Sequence, residues 1–253
     1  MGSAGRFEGR TAIVTGAASG IGRATALRLA SEGGSVACFD LADAVHDTAA
    51  AITGGGGQAL AMTLDVADES AVATAVADAA SELGPATVLA NVAGVLRFAI
   101  THEASMADFD LMMRVNVRGP FVMCRAAIPA MLEAGGGAIV NVASSAGMFG
   151  QAYNAGYGAS KGGVAMMTRS IAWEYVKHNI RVNAISPGQV DTPMVSTIDF
   201  PEAMDWKLMR KAMGVNGKSL APEEPAALIA FLASDEATAI TGAVVPIDHG
   251  LTC

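Results

Sequence analysis

The stretch "TAIVTGAASGIGRATALRLASEGGSVACFD", residues 11 to 40, constrains the fold of this chain more than any other. A short β-rich run, Thr11 to Thr15, meets Gly16, Gly20 and Gly22 and then a helical pattern reaching about Glu32. A second β-rich run follows at 35 to 40. A hairpin needs only a tight turn, whereas parallel strands need a crossover of a dozen or more residues, usually a helix. The order strand, helix, strand therefore predicts parallel pairing with the helix packed on one face of the sheet.

The same rhythm runs on. A helix from about Ala42 stops at "GGGG" (54 to 57), and "QALAMTLD" (58 to 65) reads as a third strand. Asp68 is placed to cap a helix that Gly84 and Pro85 end near Leu83, before a strand at 87 to 91. A long helical stretch from about Met106 to Ala134 carries Gly119 and Pro120, where a kink is expected. Strands at 138 to 144, 180 to 186 and 243 to 248 alternate with helices at about 157 to 177 and 223 to 233. Neither a repeat nor a linker interrupts the order. It predicts a single α/β domain whose parallel sheet of about seven strands is covered on both faces. The Met-rich, weakly capped stretch from 193 to about 220 departs from this pattern and is expected to be a lid.

Composition narrows the partners. Hydrophobic residues make up 52% but aromatics only 5%, the small aliphatic filling of packed helices and parallel strands. Sixteen Lys and Arg against 24 Asp and Glu give a net charge of -8, which repels a phosphate backbone and excludes nucleic acid. Cys38, Cys124 and Cys253 lack metal-ligand spacing and an even count, so neither a metal site nor a disulfide is expected. An uncharged apolar run of membrane-spanning length and a signal-peptide pattern are both missing, which predicts a cytoplasmic protein without a membrane partner.

The glycine-studded turn after the first strand suits a pyrophosphate: small residues admit the backbone, and the helix start offers unpaired N–H groups and a positive dipole end. The same pattern alone would also make an ordinary tight turn. Asp40 ends the second strand about 20 residues on, where a carboxylate can accept from adenosine ribose hydroxyls and would repel a 2′-phosphate. A solvated strand end or a cap of the next helix are its alternatives. Leu41 and Ala42 follow it in place of Arg or Lys, so NAD is expected over NADP.

Six motifs taken together, "TGAASGIG" (15 to 22), "NVAG" (91 to 94), "RVNVRG" around Asn116, "NVASSAG" (141 to 147), "YGASK" (157 to 161) and "NAISPGQVDT" (183 to 192), resemble a classical short-chain dehydrogenase/reductase from about Phe7 to Gly250. The resemblance implies a Rossmann-type, doubly wound fold, a nicotinamide cofactor, and Asn116, Ser144, Tyr157 and Lys161 as the catalytic set. Ser144 stands thirteen residues before Tyr157, with Ser145 as its near neighbour. The cofactor positions implied are Gly16, Ser19, Gly20, Ile21, Gly22, Asp40, Leu41, Asp65, Val66, Asn91, Ala93, Gly94, Pro187, Gly188, Val190 and Thr192, besides Tyr157 and Lys161. Asp65 and Val66 are expected at the adenine, Asn91 beside the adenosine, and Ile185 with the segment at the nicotinamide carboxamide.

These residue types suit alcohol oxidation. A phenol with a pKa of about 10 ionises poorly near neutrality and needs a cation, and Lys161 lies one helical turn from Tyr157. Ser144 can donate to the substrate oxygen. The resemblance gives Asn116 a water that links the lysine to solvent. Tyr153 has no cation at helical spacing and is expected to be a pocket wall; Ser160 is left a packing or capping role. Leu96, Met148, Gln151, Tyr153, Met194, Val195 and Trp206 are the expected lining, which fits a small to medium neutral secondary alcohol or its ketone. A 3-oxoacyl-thioester (acyl-carrier-protein) reductase is the alternative enzyme, and a non-catalytic nucleotide-binding protein the alternative class. The family also implies a homo-oligomer, tetramer or dimer. His249 stands in "DHG" where relatives have glycine, with packing or capping its expected role.

Overall fold

In the computed structural model, residues 5–196, 199–210, 212 and 217–252 are described, so Cys253 and part of the expected lid lie outside them. Seven strands form one parallel sheet: β1 (Thr11–Thr15), β2 (Ser35–Asp40), β3 (Ala59–Thr63), β4 (Ala86–Asn91), β5 (Gly137–Val142), β6 (Ile180–Pro187) and β7 (Val244–Ile247). Their spatial order is β3-β2-β1-β4-β5-β6-β7. The chain runs outward from β1 to β3, then returns beside β1 as β4, and the crevice at that switch point is where such sheets take ligands.

Alternation along the strands divides the core into two layers. Ile13, Phe39, Leu89 and Ile139 face one side, where they pack with Val72 of α3 (Glu69–Leu83), Met123 and Met131 of α5 (Gly119–Glu133) and Ile171 of α6 (Ala155–Tyr175). Val14, Val36, Val88 and Val140 face the other, against Leu29 of α1 (Gly20–Ser31), Ile52 of α2 (Val45–Gly54) and Ile229 of α9 (Glu223–Ala233). Period-two alternation with both faces apolar is what a doubly covered parallel sheet requires.

The element boundaries follow local chemistry. Asp68 does cap α3: its carboxylate accepts from Ser70 N and Ala71 N, which holds its pKa below the usual carboxylate value. The long helical stretch is not one kinked helix. It divides into α4 (Met106–Met113), a π turn over Arg114–Arg118, and α5. Pro120 lies in the first turn of α5, where a missing N–H breaks no helical bond, so the irregularity falls before Gly119 rather than at it. Strand β5 ends at Val142, two residues earlier than the sequence suggested, which leaves Ser144 extended at the start of a 3-10 turn. Two short helices, α7 (Pro193–Ser196) and α8 (Trp206–Met209), lie within the expected lid. Among the described residues, no helix is long and apolar enough to cross a membrane.

Candidate active site

The turn after β1 is shaped by steric exclusion. A Cβ on Gly16 would stand 2.9 Å from the Ala93 backbone, one on Gly20 2.8 Å from Thr192 Cγ2, and one on Gly22 2.0 Å from the Gly16 carbonyl oxygen. Gly16 and Gly20 also hold φ of 70° and 50°, where a side chain is strained. Thr15, buried at the end of β1, accepts at Oγ1 from Val92 N (3.0 Å) and Ala93 N (3.1 Å) and so ties this turn to the end of β4. The sequence reading did not single it out; its signal was a polar residue closing an apolar strand.

Asp40 is held at the same edge. Its Oδ2 accepts from Ala18 N and its Oδ1 from Ala42 N, each at 2.9 Å. The carboxylate is thus fixed against the glycine turn with lone pairs to spare, and its neighbour Leu41 is 71% exposed and carries no charge. Asp40 thus ends β2 as expected, but it does not cap the next helix: α2 begins after Ala44 with no side-chain cap.

At three of the expected cofactor positions the side chains are engaged within the fold. Asn91 is buried between strands: Nδ2 donates to Asn141 Oδ1 (2.9 Å), and Asn141 Nδ2 donates in turn to Thr168 Oγ1 (2.9 Å). Val66 is buried against Gly119, whose Cβ would meet it at 2.7 Å. Both side chains are therefore buried. Asp65 is engaged by Arg114 Nη1 at 2.5 Å and by Ala67 N at 2.9 Å, an ion pair that the sequence reading missed. At the far end, Pro187 closes β6, Gly188 packs against Asp248, Val190 pairs with Leu220, and Thr192 abuts Gly20.

Ser144, Tyr157 and Lys161 converge. The Ser144 and Tyr157 side chains hydrogen-bond each other, while burial pushes the phenol up to about 12 against that bond's downward pull. Lys161 is 4% exposed; its Nζ donates to Val142 O at 2.8 Å and lies 5.7 Å from the Tyr157 ring centre. Burial brings its ammonium down to about 8. Burial thus outweighs the effect expected of the lysine and favours the neutral form of both groups. Ser145 turns away from the phenol, buried and accepting from Gln151 Nε2 at 3.4 Å.

The π turn sets Asn116 beside this group. Its Oδ1 accepts from Val95 N (2.8 Å), and its Nδ2 donates to Val95 O (2.9 Å) and Ser160 Oγ (3.0 Å). Both Nδ2 hydrogens are thus spent, while Oδ1 keeps one lone pair. Ser160 donates to Tyr157 O at 2.8 Å, which joins Asn116 to the tyrosine helix. A Cβ on Gly94 would stand 3.2 Å from Asn116 Oδ1 and 3.3 Å from Lys161 Nζ, so glycine keeps the space beside the ammonium open.

The expected substrate side is looser. Leu96 is half-buried in the loop after β4, Met148 is 41% exposed, and Met194 lies on α7. Tyr153 has φ of 61°, a left-handed conformation costing a bulky residue about 1 kcal/mol or more. Trp206 packs on Phe200, and Phe200 on Phe98, each with ring centres 5.2 Å apart. Neither phenylalanine was singled out from the sequence. His249 holds φ of 53° with its side chain exposed, beside a cavity of about 420 Å³ that Glu224 and Asp248 also line.

Comparisons with known proteins show the family. A sequence profile described as enoyl-(acyl carrier protein) reductase matches residues 16–252. The chain is 42% identical over 247 residues to cis-4-hydroxycyclohexanecarboxylate dehydrogenase of Sinomonas cyclohexanicum, covering 97% of this chain and 98% of the relative. The chain belongs to the short-chain dehydrogenase/reductase family. It is 40% identical over 248 residues to a 3-oxoacyl-(acyl-carrier-protein) reductase of Thermotoga maritima, with coverage of 97% and 99%. The crystal structure of a short chain dehydrogenase from Mycobacterium paratuberculosis bound to NAD superimposes with a TM-score of 0.88 at 32% identity, covering 98% of this chain and 99% of that one. As a member of this family, the protein is an oxidoreductase that uses a nicotinamide cofactor and interconverts alcohol and carbonyl groups.

The residues present fit that cofactor. The glycine turn is packed too closely for any Cβ and leads into α1, which Ser19 does not cap with its side chain, and Lys161 spends one of its three donors on Val142 O, which leaves two for ribose hydroxyls. Asp40 retains acceptor capacity at the adenosine end.

Proposed function

We propose that the protein is an NAD-dependent dehydrogenase interconverting a small to medium neutral secondary alcohol, such as a ring alcohol, with its ketone. The convergence of Ser144, Tyr157 and Lys161 carries this reading: a phenol bonded to a hydroxyl, with a buried ammonium behind its ring. When bound, the nicotinamide supplies the hydride acceptor. Tyr157, as phenolate, takes the proton of the substrate hydroxyl as the C–H electron pair leaves with its hydrogen; in the reverse direction it returns that proton. Ser144 donates to the substrate oxygen and keeps it within reach of the phenol. Lys161 stabilises the phenolate and holds the ribose, while Asn116 clamps the π turn to Val95 and Ser160. Stretches 193–196 and 199–210 act as the lid, with Leu96, Met148, Gln151, Tyr153, Met194 and Trp206 toward the substrate.

Preference for NAD rests on Asp40, whose fixed carboxylate would face a 2′-phosphate with no cation contributed by Leu41 or Ala42. The likeness to a ring-alcohol dehydrogenase supports the substrate class. The second reading, a 3-oxoacyl-thioester reductase, is favoured by a relative of nearly equal identity. Parallel titrations with NADH and NADPH, followed by turnover of cyclohexanol, linear secondary alcohols and a 3-oxoacyl thioester, separate the two. Tighter NADH binding and oxidation of cyclohexanol are expected. Tighter NADPH binding with turnover of the thioester alone would establish the second reading.

A further inference from the structure

We infer that Tyr153 is a latch for the segment 199–210, a positioning residue that holds this segment over the site and thereby sets how tightly substrate is retained. Two separate bonds meet at this one residue. Its phenol oxygen accepts from Asp205 N at 2.9 Å, at the start of α8. Its backbone carbonyl accepts from Ala99 N at 3.0 Å, in the loop after β4. Its chain neighbours lead to the reacting group: Asn154 Nδ2 donates to Gln151 Oε1 (3.1 Å), Gln151 Nε2 donates to Ser145 Oγ, and Tyr157 lies four residues on.

The left-handed backbone strengthens the argument. A glycine or asparagine would occupy φ of 61° with less strain, so the tyrosine side chain at this position must contribute something that offsets it. The bond to Asp205 N is the polar contact its hydroxyl makes among the described residues. Asp205 in turn caps α8, accepting from Lys207 N at 2.8 Å, so holding its amide holds the helix that carries Trp206. The tilted ring contacts of Phe98, Phe200 and Trp206 join the β4 loop to the same segment. Such contacts tolerate sliding, whereas the phenol bond fixes one position. The bond exists only with the segment down, so it biases the equilibrium toward that state by about two- to tenfold, the worth of one hydrogen bond.

Amide hydrogen exchange at Asp205 tests this directly, with or without substrate. In the full-length protein, Tyr153→Phe keeps the ring and removes the hydroxyl; exchange at the Asp205 amide should accelerate about two- to tenfold while the β5 amides stay unchanged. An Asp205 amide that exchanges at the parental rate in Tyr153→Phe would overturn the latch. The kinetic consequence rests on the proposed alcohol chemistry: with cyclohexanol as probe, KM should rise several-fold and kcat stay within about threefold. A parental KM would also count against the latch. Failure of the parent to oxidise any alcohol would refute the proposed function and leave the exchange rate to decide on Tyr153.

Discussion

The turn after β1 and the segment 199–210 are held by opposite means. In the turn, backbone meets backbone: Gly16, Gly20 and Gly22 leave no room for a Cβ, and Thr15 and Asp40 bond main-chain amides on either side. In the segment, side chains do the holding, through the ring contacts of Phe98, Phe200 and Trp206 and the phenol of Tyr153. Trp206 is 55% exposed and Phe200 40%, so neither is locked by a core. A cofactor common to many enzymes can be met by a fixed cradle. A lid that must admit and release substrate is drawn from the less stable end of a structure.

Substitutions can break this contrast. The largest effect is expected from Tyr157→Phe, which should lower kcat by about 10³-fold or more with NADH affinity intact, read by steady-state kinetics and fluorescence titration. Gly22→Ala places a methyl 2.0 Å from the Gly16 carbonyl oxygen, so the turn must deform. A loss of about 3 kcal/mol in stability and a matching drop in NADH binding are expected, measured by denaturant melts and titration. Asp40→Asn should weaken NADH by about tenfold and narrow its advantage over NADPH, because a charge-assisted acceptor is lost and a repulsive charge removed.

The smallest expected effect concerns pH. Burial brings Lys161 down to about 8 from its ordinary 10.5, so the folded protein prefers its neutral form. The unfolded chain then binds more protons between those values, and Lys161 contributes a rise in stability as pH climbs from about 8 to 10.5. Tyr157 acts oppositely at higher pH: with its folded value pushed up to about 12, it contributes a fall in stability from about 10 to 12. An NMR titration of methyl-labelled lysines should show one amine titrating near 8 in the ligand-free protein, missing in Lys161→Met.

What the sequence made legible follows the same division. Strand and helix order, the two-layer core and the glycine turn could be read because each depends on local residue pattern: alternation in β1 and β5, small residues at a strand end, Asp68 ahead of α3. Ser144, Tyr157 and Lys161 were legible through a motif of fixed spacing. The π turn at Asn116 was legible only in part: Gly119 and Pro120 signalled an irregularity, but neither its kind nor its place just before them. Nor were the inward turn of Asn91 and Val66, which is decided by partners 50 residues away in Asn141 and across the fold in Gly119. The Tyr153–Asp205 contact spans a similar stretch, and the Phe98–Phe200 contact a still longer one, with no periodic signal.

The two phenols, four residues apart, allow the most direct measurement. With Tyr157→Phe and Tyr153→Phe prepared together, kcat and KM for the preferred alcohol and the dissociation constant for NADH are determined on both. The account predicts that Tyr157→Phe loses kcat by about 10³-fold at unchanged NADH affinity. Tyr153→Phe should keep kcat within about threefold and raise KM instead. An equal loss of kcat in both variants would contradict it.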